Sequence, residues 1–248
     1  MSNRTICLIN DSFPPVTDGV ANAVFNYGRA ITESGSRAVV ATPAYPGADD
    51  SGFSFPVVRY PSIDMTKLVG YHAGLPFSEK TMQTLMEYPF DLIHCHCPIT
   101  SAVLARELRA RIHVPAVFTY HTKFDIDIAN AIHAKLLQEG AKKLLVDNIS
   151  AFDEVWTVSH GAGENLRSLG YQGDWRVMPN GVDFARGRVP EEDVRAVCRD
   201  LICRRACRFS CSGPHDVVQG PAHHAGRAQK AQGRGAPVPH GLRRQRRG

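Results

Sequence analysis

No stretch of this sequence looks like a membrane span or an export signal. Its apolar runs all fall short of the ~18 residues a helix needs to cross a bilayer. Met1, Ser2, Asn3 and Arg4 lead directly into an apolar run, which is not the layout of a signal peptide. The expected protein is therefore soluble and cytoplasmic. Seven cysteines are an odd number for a chain without a secretory signal, so free thiols are expected rather than disulfides. There is no Gly-x-Gly-x-x-Gly, which argues against a nicotinamide or flavin site, and no cofactor is expected. Acidic residues are scarce at one end only. Residues 201–248 hold nine Arg and one Lys against a single acid, Asp216, while 1–200 hold 19 basic and 23 acidic residues. The overall charge of +5 thus belongs to the tail. Any inference from basic charge to nucleic acid or an anionic membrane can apply only there.

What is present in 1–200 is an alternation. Short apolar runs at 5–10, 37–42, 56–60, 91–94, 116–120, 154–159 and 176–178 are rich in Val and Ile and lack clean polar alternation. Strands buried on both faces read this way. Helical patterns lie between them, at 19–34, 81–88, 100–112, 129–151 and 162–169. The first carries Val20, Val24, Tyr27 and Ile31 on one stripe, and Gly35 stops it. Strand-helix alternation repeated this often predicts an α/β fold with a doubly wound parallel sheet. Right-handed crossovers then align the carboxyl ends of the strands along one edge, where ligands bind.

Polar residues gather just past the strands. Residues 11–20 read Asp-Ser-Phe-Pro-Pro-Val-Thr-Asp-Gly-Val. Asp18 is placed to cap the next helix, and Gly19 would let an anion such as a diphosphate approach the helix start. An ordinary capped loop has the same appearance. His94-Cys95-His96-Cys97-Pro98 follows the fourth strand. His94 and His96 share one face there, half of a metal site, but no second pair at suitable spacing follows, and no metal is expected. Tyr120-His121-Thr122-Lys123-Phe124-Asp125 follows the fifth strand. A neutral His121 imidazole can hydrogen-bond a sugar hydroxyl, and Lys123 can meet a phosphate or remain a solvated loop charge. Ser159 and His160 follow the sixth strand, and Pro179-Asn180-Gly181-Val182-Asp183 follows the seventh. The helix at 129–151 has a candidate apolar stripe of Ile132, Leu136, Leu137, Ala141, Leu144 and Leu145, with Lys135, Lys142 and Lys143 alongside. Core packing is the commoner use of such a stripe. An anionic membrane surface is the other.

Taken in order, these motifs resemble the N-terminal domain of retaining GT-B glycosyltransferases of family 4. The resemblance covers roughly 1–190, and the Tyr-His-Thr stretch is most similar to diacylglycerol glucosyltransferases. It implies a Rossmann-like domain that works with a nucleotide-sugar donor and a lipid or sugar acceptor. It implies that Gly19 and Val20 bind the donor and that His121 is catalytic beside the transferred sugar. Asp18, His96 and Lys123 would line the acceptor side. Peripheral contact with the inner face of a membrane would accompany a lipid acceptor.

In that family a second Rossmann-like domain supplies a basic pair for the diphosphate and a Glu-x7-Glu motif. Here Glu191 and Glu192 are the last glutamates. The organisation read from the sequence is a glycosyltransferase domain at 1–190 and a degenerate, frameshifted and disordered tail at 191–248, the fragment alone being inactive. Residues 217–230 can be encoded by codons that, shifted one frame, read as a stretch like the opening of the family's second domain. Two alternatives stand beside this. One is a non-catalytic acceptor- or membrane-binding module. The other is a nucleic-acid binder using Arg243, Arg244, Arg246 and Arg247, disfavoured because no aromatic residue interleaves those charges.

Overall fold

The computed structural model describes residues 3–66, 72–121, 124, 135–181 and 190–193. The chain divides into two units, Met1–Phe209 and Ser210–Gly248, and every described residue belongs to the first. In chain order the elements are β1 (Thr5–Ile9), α1 (Gly19–Glu33), β2 (Arg37–Pro43), β3 (Val57–Tyr60), β4 (Ser62–Asp64), β5 (His72–Gly74) and α2 (Glu79–Met86). Then come β6 (Leu92–Cys95), α3 (Thr100–Ile112), β7 (Ala116–Tyr120), α4 (Lys135–Ile149), β8 (Glu154–Thr157), α5 (His160–Ser168) and β9 (Arg176–Val177).

Seven strands form one sheet in the order β3-β2-β1-β6-β7-β8-β9, every neighbouring pair parallel. The sequence reading of an α/β, doubly wound parallel sheet is what the structure has. Its central strands are covered on both faces, so β7 is buried at all five residues and β2 at all but Arg37. One apolar layer, with Leu104, Leu108, Phe118 and Ile149, lies on one side of the sheet. A second, with Leu8, Val24, Val40 and Phe55, lies on the α1 side. Chain order reverses between β1 and β6: from β1 the chain runs outward to β2 and β3, then returns to β6 and builds the other way. That reversal is a topological switch point at the carboxyl ends of β1 and β6, the place where ligands bind in sheets of this kind.

A repeated device aligns the strands at the opposite edge. Asp91, just before β6, accepts the backbone N–H of Thr5 at 2.7 Å and gives its own N–H to the Thr5 carbonyl. Asp153, just before β8, does the same with Ala116, accepting its N–H at 2.8 Å. Each aspartate thus fixes the register of its strand against the neighbour.

Several local expectations shift. On α1 the buried residues are Ala21, Val24 and Gly28, with Val20, Tyr27 and Ile31 half-buried at the margins. Gly28 is needed there because a Cβ would lie 2.7 Å from the Phe55 ring. Beyond the helix, Gly35 takes a φ of +82°, the left-handed conformation that ends it. The stripe expected on α4 is rotated. Leu145 and Ile149 are buried together with Asn148, whereas Leu137 and Leu144 are 64% and 60% exposed. Asn148 is the reason a polar residue lies inward: it donates to the Pro98 carbonyl and accepts from Arg106. Strand β8 ends at Thr157, earlier than its apolar run, because the Ser159 hydroxyl caps α5 by accepting the Ala162 N–H. The β4–β5 hairpin was not anticipated. Its strands are three residues each, too short for a period-two signal. Residues 129–134, the end of the Pro-Asn-Gly-Val-Asp turn from Val182 on, and 194–248 lie outside the described residues.

Candidate functional site

The switch point is held by Asp11, two residues past the end of β1. Helix α3 has no capping side chain of its own, since its N-cap position is Ile99. The Asp11 carboxylate does that work from across the chain. It accepts the N–H groups of Thr100 at 3.2 Å and Ser101 at 2.8 Å, and both hydroxyls at 2.5 Å. The Tyr60 hydroxyl adds a weaker contact at 3.4 Å. A negative charge at a helix N-terminus is favoured by the unpaired N–H groups and the helix dipole.

The Pro-Pro loop above β1 is fastened on two sides. Arg59 donates to the Pro14 carbonyl at 2.6 Å and to both oxygens of Asp50 at 2.7 and 2.8 Å. Phe13 packs edge-on against Phe53 and Phe55. The loop ends at Asp18, whose Oδ1 accepts the N–H groups of Val20 at 2.8 Å and Ala21 at 2.7 Å. The capping role read from the sequence is therefore present. It also means that the Val20 N–H already has a partner, while Gly19 is exposed at the helix start.

Three histidines line up on the α1 side of the sheet. His94 and His96 sit two residues apart, at the end of β6 and just beyond it, and so share a face. Their rings are 4.0 Å apart. His94 is held by Thr119 of β7, Nε2 to Oγ1 at 2.7 Å. His96 is held by His121, just past β7, Nδ1 to Nε2 at 2.9 Å. Tyr27 of α1 covers both rings of β6, with centroids 5.2 Å from His94 and 5.4 Å from His96, and Trp156 meets His94 edge-on at 5.1 Å. Burial strips water from the imidazoles and disfavours their charged forms. It pushes His94 down to about 3, His121 down to about 4, and His96 well below the ordinary histidine value. Each row member is thus a neutral ring near pH 7. Two ring nitrogens, His96 Nε2 and His121 Nδ1, are buried without a hydrogen-bond partner among the described residues.

The structure brings His96 and His121 into direct contact and puts Asp18 and Gly19 on the adjoining loop. It buries His96 to 1% exposure, so that its ring faces His121, His94 and Tyr27. His160 is exposed at the start of α5, and Lys123 lies outside the described residues. Among the described residues no group of three or more His, Cys, Asp or Glu is arranged to hold a metal ion. An open cleft of about 580 Å³ lies at the other edge of the sheet, where Arg109 pairs with Asp153 and with the Ala151 carbonyl. That cleft belongs to the amino ends of β7 and β8. Sequence reading missed Asp11. Its partners are 89 and 90 residues away, and only the neighbourhood of a strand end marked it out.

A parallel α/β sheet with polar residues gathered at its switch point is a frame shared by many nucleotide-dependent enzymes. Residues 17–186 match Glycosyltransferase Family 4, and the chain belongs to that family. Among curated relatives it is 21% identical over 188 residues to an alpha-monoglucosyldiacylglycerol synthase of Streptococcus pneumoniae, covering 75% of this chain and 42% of that protein. It is 27% identical over 120 residues to a GDP-mannose-dependent alpha-mannosyltransferase of Corynebacterium glutamicum, covering 47% and 29%. Among solved structures, an alpha-glucosyltransferase in complex with UDP and DNA aligns with a TM-score of 0.45 at 12% identity, covering 73% of this chain and 44% of that one. The chain spans less than half the length of the curated relatives it matches.

Proposed function

We propose that residues 1–190 form the acceptor-side domain of a retaining glycosyltransferase that moves a hexose from a nucleotide-sugar to a lipid or sugar acceptor. The observation that carries this is His121. It lies just past the carboxyl end of β7, is neutral, and has a buried Nδ1 without a partner among the described residues. A sugar hydroxyl both donates and accepts, so it satisfies that nitrogen in either tautomer. Gly19, exposed at the start of α1, leaves room for the donor's diphosphate, and Asp18 and Lys123 are assigned to the acceptor side. Both curated relatives support the class, one by the glucosyl lipid in its name and the other by the GDP-mannose in its name. Because those relatives extend well beyond the matched region, residues 1–248 alone are proposed not to turn over.

The test is a chimera of residues 1–186 with the C-terminal half of the pneumococcal synthase, assayed with UDP-glucose or GDP-mannose and diacylglycerol vesicles. Transfer is expected from the chimera and not from residues 1–248. His121→Ala in the chimera should lower kcat by roughly 10²–10⁴. A His121→Ala chimera at full rate would remove the role, and transfer by 1–248 alone would remove the inactivity.

A specific observation favours a second, compatible property, peripheral membrane contact. Leu137 and Leu144 are exposed one heptad apart on α4, with Gly140 between them and exposed Lys143 beside them. That is the layout of a helix face that lies on an anionic surface.

A further inference from the structure

We propose that His96 is a positioning residue whose hydrogen bond ties the tautomer of His121 to its own. The proposal rests on His121 being the sugar-facing group, as above, and it reassigns His96 from lining the acceptor to holding the ring that meets the sugar.

The argument is a proton count. His96 Nδ1 and His121 Nε2 are 2.9 Å apart, a hydrogen-bond distance that requires one proton between them. Both rings are neutral, because burial holds both pKa values far below 7. Two neutral imidazoles have two N–H groups in total. One is used in the shared bond, so one N–H and one bare lone pair remain for the two outer nitrogens, His96 Nε2 and His121 Nδ1. Those are the two nitrogens that are buried without partners among the described residues. The outer ends are therefore always complementary: if His121 Nδ1 donates, His96 Nε2 is bare, and the reverse.

The geometry that enforces this comes from His96. Its ring is fixed at 1% exposure by His94, 4.0 Å away, and by Tyr27, 5.4 Å away. His94 is in turn tied to Thr119. His121 has no other polar partner on its Nε2 side among the described contacts. A group that only accepts, such as a diphosphate oxygen, selects the arrangement with a proton on His121 Nδ1. A sugar hydroxyl fits either arrangement.

The test uses the whole 248-residue chain labelled with ¹⁵N, with the ring nitrogens read by long-range proton–nitrogen correlation at pH 7.5. In the wild type, His96 Nε2 and His121 Nδ1 are expected to show opposite character, one N–H and one bare, and His121 to populate one tautomer. His96→Asn, whose carboxamide presents a donor or an acceptor close to the position of Nδ1, should keep His121 Nε2 hydrogen-bonded. His96→Phe, which keeps a ring but no hydrogen bond, should average its two tautomers. The proposal is overturned if both outer nitrogens carry protons in the wild type, or if His96→Phe leaves the His121 signature unchanged. Should His96→Phe fail to fold, the wild-type spectrum and His96→Asn decide. None of these readouts involves sugar transfer. A loss of the catalytic reading in the chimera assay and a loss of this one are therefore separate results.

Discussion

Asp11 replaces a helix cap that α3 lacks, and it does so with a buried carboxyl group that accepts four hydrogen bonds. Asp11→Ala should therefore cost roughly 3 kcal/mol, since it strips two backbone N–H groups and two hydroxyls of their acceptor. Thermal unfolding followed by circular dichroism checks this, and a Tm within a degree or two of wild type would contradict the capping role. The histidine row makes a second prediction at this scale. Their folded pKa values lie below the ordinary 6.5, at about 3 for His94 and about 4 for His121. Between those values and about 6.5 the unfolded chain binds more protons than the folded one. Their stability contribution is thus complete above about pH 6.5 and is lost as pH falls toward 4. Each histidine removes up to about 1.4 kcal/mol per pH unit in that window. Urea midpoints at pH 7.5 and pH 5.2 measure the loss, and equal midpoints would mean that the rings are charged or solvated. Single residues were the least legible level of the sequence. His121 and Asp18 could be found because a strand end and a helix start mark them. The pairing of His96 with His121 could not, because it joins positions 25 apart on neighbouring strands.

Elements were legible where burial produces a strong period. All seven apolar runs became strands of one sheet, because a parallel strand covered on both faces needs continuous apolar residues. Helix faces were read less well. On α4 the sequence offered one apolar stripe, and the structure rotates it: Asn148, whose side chain joins Pro98 and Arg106, lies inward with Leu145 and Ile149, which leaves Leu137 and Leu144 outside. The stripe left outside has a measurable consequence. Leu137→Ser with Leu144→Ser should lower the fraction of the chain sedimenting with phosphatidylglycerol vesicles several-fold. Wild type and variant share the basic tail, and raised salt screens that tail's contribution. Equal sedimentation at high salt would rule the stripe out as a membrane contact.

At the scale of the molecule, apolar side chains collect along the ligand edge. Ile63 of β4, Leu75 and Phe77 past β5, and Ile99 before α3 are exposed, Phe77 to 81%. Exposed apolar groups of this kind favour association. Residues 1–248 should show a mass that rises with concentration in sedimentation velocity, and Leu75→Ser with Phe77→Ser should reduce that rise. A single monomer mass at all concentrations would count against it. The overall architecture was readable because it follows from the order of strands and helices, whereas this edge was not, since it depends on a short hairpin with no periodic signature. The Asp11 bridge carries a mechanical meaning as well. It bolts the end of β1 to the start of α3, so neither shifts without the other while those bonds hold. A load on the loop after β1 is therefore passed straight into α3, as through a rivet.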